Sequence, residues 1–76
     1  MNKRRKEIVR QVWQELSHGA TVLEQVLDQE TDTMTNWPEN LQNTDRYFQC
    51  EDAVDDLENA SSLLKEALPY LESVVG

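Results

Sequence analysis

Glu15 and His18 stand three positions apart, the spacing with which a helix of a di-iron bundle turns a carboxylate and an imidazole toward one metal. That chemistry needs both side chains on the buried stripe of the helix. Here the apolar stripe runs through Leu16, Ala20 and Leu23, and at about 100° per residue His18 points well over 90° away from it. The imidazole is therefore expected in solvent, and no metal or other cofactor is expected. His18 is the only histidine and Cys50 the only cysteine, on separate periodic stretches, so neither a zinc ligand set nor a Cys–His nucleophile can be assembled. Two glycines, Gly19 and Gly76, cannot build a phosphate-cradling loop. Cys50 lies on an apolar row and is expected to act as a small buried hydrophobe, with no second cysteine to bridge within the chain. The chain is not expected to be an enzyme.

The densest functional-group cluster is acidic: Glu51, Asp52, Asp55, Asp56 and Glu58. On a helix these carboxylates span roughly 10 Å, about one charge per 2 Å, close to the axial charge density of duplex DNA at about one per 1.7 Å. Such a surface could occupy a nucleic-acid groove on a basic protein; the bland alternative is a solvated face that keeps the chain in solution. Calcium is disfavoured, because a straight helix cannot wrap these oxygens around an ion as a loop does. The overall charge of −8 hides an asymmetry. Lys3, Arg4, Arg5, Lys6 and Arg10 fall in the first ten positions with Glu7 as the only acid, whereas from position 11 onward fourteen acids face only Arg46 and Lys65. A body this acidic repels nucleic acid and anionic membrane, so a strong electrostatic partner is expected to be a basic protein surface. The basic start resembles that of a signal peptide, but Arg10 and Gln11 interrupt Ile8, Val9 and Val12 before any apolar block forms. A cytoplasmic protein without a membrane span is expected.

The elements that must position these groups are two long helices. Ala53, Ala60, Ala67 and Val74 recur every seven residues beside a second row, Tyr47, Cys50, Val54, Leu57, Ser61, Leu64, Leu68, Leu71 and Val75, that steps by three and four. Upstream, Val9, Val12, Trp13, Leu16, Ala20, Leu23, Val26, Leu27 and Met34 keep helical spacing. Gly19 costs roughly 1 kcal/mol in a helix interior, and Thr21 to Glu24 is a possible capping box that could restart a helix. The 4, 3, 4 spacing of Leu16, Ala20, Leu23 and Leu27 holds phase across the glycine, so one helix over about residues 3–34 is predicted, with Gly19 admitting a close neighbour. Pro38 and the asparagines at 36, 40 and 43 mark a loop over about 35–43, with one helical turn from Pro38 to Leu41. Thr44 or Asn43 is the predicted N-cap of a second helix over about 44–75, and Pro69 is predicted to kink it rather than stop it.

Two long helices and a short loop predict an all-α fold, a single domain spanning 1–76 built as an antiparallel hairpin. Opposing positions then sum to roughly 80, which lays the basic cluster alongside Glu66, Glu72 and the C-terminus. Cores of this length rarely supply more than about 3–5 kcal/mol unaided. Each helix has one neighbour while its apolar surface is wider than one contact, so a homodimer forming a four-helix bundle is expected.

At the loop and the start of the second helix the chain reads Asn36-Trp37-Pro38-Glu39-Asn40-Leu41-Gln42, then Thr44-Asp45-Arg46, then Glu51-Asp52-Ala53-Val54-Asp55-Asp56-Leu57-Glu58-Asn59-Ala60. This resembles a group of short acidic helical proteins found in phages and mobile elements of Firmicutes. Their recurrent pattern is Asn-Leu-Pro-Glu-Ser-Leu-Gln, then Ser-Glu-Arg, then Glu-x-Ala-x-x-x-Leu-Glu-x-Ala. The match covers about a third of the chain, with Trp37 replacing Leu and Asn40 replacing Ser. The resemblance implies a helical hairpin in a phage or prophage setting, where small acidic proteins often inhibit host defence as anti-CRISPR or anti-restriction factors that mimic nucleic acid. The expected function is thus non-enzymatic inhibition of a basic, nucleic-acid-binding host protein such as a CRISPR or other defence nuclease. Glu51, Asp52, Asp55, Asp56 and Glu58 would supply the mimicry and Trp37 an apolar anchor, with Arg46 instead tying the loop to Glu39 or Asp45. The alternative is a structural or adaptor module that acts through homodimerisation.

Overall fold

A computed structural model describes all residues, Met1–Gly76. Helix α1 spans Lys3–Thr35, a single 3-10 turn spans Glu39–Leu41, and helix α2 spans Asp45–Val75. The helices pack antiparallel as a hairpin, a rod whose principal extents are 59 × 14 × 14 Å. Asn2 caps α1 by accepting from the Arg5 amide at 2.8 Å, and Thr44 caps α2 by accepting from Tyr47. The helix therefore starts where the chain first offers a capping side chain.

α1 runs unbroken through Gly19, as its phase predicts. A Cβ built on Gly19 would meet nothing within 4 Å, so this glycine does not let α2 approach. The close approach instead comes from Ala20 and Ser61, which are 4% exposed and, with Val54 at 3%, are the only buried residues of the chain. Pro69 lies inside α2, whose last turns continue to Val75. The loop's short turn forms one residue later than the position of proline suggests: Pro38 precedes it with an extended ψ of 134°, and its carbonyl accepts from Leu41 at 2.8 Å.

The loop is tied by one carbonyl. Leu41 O accepts the Trp37 indole Nε1–H at 3.1 Å, the Thr44 amide at 3.2 Å and the Thr44 hydroxyl at 2.7 Å. Gln42 Nε2 returns a bond to Trp37 O at 3.3 Å, and the Trp37 ring meets Tyr47 edge-on with centroids 6.1 Å apart. At the open end Arg10 pairs with Glu7 and donates to Val75 O at 3.2 Å, where a cation complements the unsatisfied carbonyls of the end of α2. The basic cluster makes no ion pair with Glu66 or Glu72, and Arg46 makes none with Glu39 or Asp45; the only two ion pairs are Arg10 with Glu7 and Lys65 with Glu24.

The two faces of the hairpin differ. Lys65 reaches Glu24 on one of them, and helical rotation of about 100° per residue assigns Ser17, Thr21, Asp28, Glu51, Asp55, Glu58 and Ser62 to that same polar side. The opposite face is mainly apolar, though the exposed Glu15 of α1 and Asp56 of α2 stand among its residues. α1 presents Ile8, Val12, Gly19, Val22 and Val26 there, all exposed. α2 presents Ala53, Ala60, Leu63, Tyr70 and Val74, also exposed, with Ala67 part-covered. Leu16, Leu23, Leu57, Leu64 and Leu71 are half-buried, because they lie toward this face rather than at the centre of the hairpin contact.

Candidate functional site

α2 brings its five acidic residues to the loop half of the rod, all exposed and none paired with a cation. They do not form a single line. Glu51 and Glu58 flank the helix contact on the polar side, Asp55 and then Asp52 turn progressively outward, and Asp56 lies on the mainly apolar face in line with Val74. Together they cover one continuous outer arc of the helix. The hairpin adds to it from α1, since Asp28 lies on the same polar face at the level of Glu51 and Asp52, with Asp32 nearby. Sequence spacing along one helix cannot reveal that contribution, because only the antiparallel register puts those residues beside α2.

Trp37 is only half-exposed, and its indole is committed to closing the loop through Leu41 O and Tyr47. Its polar edge is already occupied, which suits a loop-closing role. The freer apolar atoms beside the carboxylates belong to Phe48, 46% exposed, and Leu41, 42% exposed. Phe48 stands four positions before Asp52 and seven before Asp55, so it shares their face, and it meets Tyr47 edge-on with centroids 6.0 Å apart. Its spacing to the aspartates is visible in the sequence and marks it as a second apolar candidate.

The remaining chemistry-bearing groups are dispersed. Glu15 and His18 are both exposed on α1, away from α2. Cys50 is half-buried between the helices and donates to Glu30 Oε2 at 3.8 Å. Desolvation, the adjacent Glu30 charge and that hydrogen bond all push the thiol above its ordinary pKa. No group of three His, Cys, Asp or Glu side chains converges as metal ligands, and the surface holds no pocket. No helix is long and apolar enough to cross a membrane. What the geometry offers is an extended, unpaired acidic surface with an aromatic at its edge, suited to binding a broad cationic surface and not to enclosing a small molecule. No protein-family model matches the chain, and none of the curated proteins or solved structures compared with it matches either.

Proposed function

We propose that this chain is a non-enzymatic binding module whose acidic half engages a basic, nucleic-acid-binding surface of another protein. The observation that carries the reading is the segregation of charge along the rod. Residues 21–59, the loop half, hold eleven carboxylates against Arg46 alone, a balance of −10. Residues 1–20 and 60–76 hold six cations against four carboxylates, a balance of +2. A solvated coat needs no such polarity, whereas a surface competing with nucleic acid for a cationic groove needs dense negative charge in one place. The likeness to acidic phage proteins makes a CRISPR or other defence nuclease the favoured kind of target.

The test is a triple substitution, Asp52→Asn, Asp55→Asn and Asp56→Asn, which keeps shape while lowering the loop half from −10 to −7. Immobilised wild-type chain should retain a basic nucleic-acid-binding protein from nuclease-treated host extract, and added duplex DNA should release it. The triple variant should retain several-fold less, with a flatter salt dependence, because electrostatic attraction scales with the deleted charge. Equal retention by the triple variant, or simultaneous binding of DNA and this chain to the captured protein, would overturn the reading.

A further inference from the structure

We infer that the apolar face of the hairpin is an interface for a second copy of this chain, docked antiparallel so that the loop of each copy lies beside the open end of the other. The interface rests on the apolar residues of this face, and it shares Asp56 with the acidic surface of α2. The hairpin leaves Leu63 66% and Tyr70 77% exposed, while the polar face is closed by the ion pair of Lys65 with Glu24. With three buried residues in the whole chain, the half-covered leucines gain a proper core only when another apolar surface closes over them.

Size and charge together select the occupant. The mainly apolar stretch, with Glu15 and Asp56 within it, runs from Ile8 to Val26 on α1 and from Ala53 to Val74 on α2, roughly 30 Å long and 20 Å wide over two helices. That is on the order of 600 Å² of projected face, and accessible area exceeds projected area, so it approaches the ~800 Å² per partner of a standard interface. A two-fold axis across the rod stacks α1 on α1 and α2 on α2, and superimposes this stretch on itself near the levels of Ser17 and Leu63. A two-fold axis along the rod would also cover the face, but it would set two halves of −10 side by side.

The dipoles agree with the crosswise axis. α1 has no acid in its first turn and no base in its last, and instead carries Lys3, Arg4, Arg5 and Lys6 at its positive end and Glu30 and Asp32 near its negative end. Each charge opposes the dipole of its own helix. In the crosswise dimer the basic start of α1 lies beside the acidic, carbonyl-terminated end of the partner's α1, which reverses both penalties. Gly19 and Ala60, near the middle of the face, allow the backbones to approach.

Sedimentation equilibrium of the full chain at tens of micromolar should give twice the 8.8 kDa chain mass. Leu63→Glu alters a residue exposed in the hairpin, so it should return the mass to 8.8 kDa with helicity retained at low concentration, while Ser62→Glu on the opposite face should stay dimeric. Orientation is read without any change to the face: a spin label on Asn40→Cys in a Cys50→Ser background should report a separation about equal to the 59 Å rod. A monomer at all concentrations, or a dimer insensitive to Leu63→Glu, overturns the interface. A label separation within roughly 20 Å, the spacing of neighbouring helices plus label arms, overturns the antiparallel arrangement.

Discussion

Thr44 joins the loop to α2 through one hydroxyl, and replacing it by alanine should remove two bonds at once. As N-cap acceptor, Oγ1 takes the Tyr47 amide at 3.4 Å, a long bond that places the loss at the low end of the 0.5–2 kcal/mol range for cap removal, about 0.7 kcal/mol. As donor, Oγ1 reaches Leu41 O at 2.7 Å, ordinarily worth about 1 kcal/mol. That carbonyl keeps the Trp37 indole and the Thr44 amide, so its loss is smaller, about 0.5 kcal/mol. The sum of about 1.2 kcal/mol is a seven- to eightfold fall in the folding constant and a Tm lower by about 5–10 °C for a chain of this size. Urea unfolding followed by helical circular dichroism, at one fixed chain concentration because association adds stability, measures it. Thr44→Ser keeps both bonds and should stay within about 0.5 kcal/mol of wild type, whereas Thr44→Asp keeps the acceptor, loses the donor and should fall between. A Thr44→Ala protein within about 0.3 kcal/mol of wild type would refute the argument that this hydroxyl anchors the hairpin turn.

Removing the Glu30 charge with Glu30→Gln should lower the Cys50 pKa toward the ordinary thiol value. Burial and, after it, the Glu30 carboxylate hold the thiol neutral, so alkylation at pH 8 should be faster in the variant than in wild type, and equal rates would mean that the carboxylate has no hold on the thiol. Trp37→Phe deletes the indole bond to Leu41 O, which keeps both Thr44 donors, and should cost about 0.5 kcal/mol. In a Trp13→Phe background, acrylamide should quench Trp37 clearly less than free tryptophan, and quenching as strong as in free tryptophan would place the ring outside the loop.

How much of this molecule could be read from residue order depends on which interactions are local. The 3.5-residue period of Tyr47, Cys50, Val54 and Leu57, and the unbroken phase across Gly19, determine two helices, because helix formation and amphipathicity act within a few turns. Thr44 as N-cap follows from the same short range. Gly19 shows the limit: its neighbours in sequence suggest a place of close approach, yet Ala20, one residue and about 100° further on, is what meets α2. The acidic residues of α2 are evident in the chain, but their continuation onto Asp28 depends on register, and Trp37's engagement with Leu41 and Tyr47 depends on how the loop folds back. The division of the hairpin into a polar and an apolar face is likewise a tertiary result. Each helix alone has only a broad stripe; antiparallel pairing consumes one edge of it and leaves the other edges of both helices side by side.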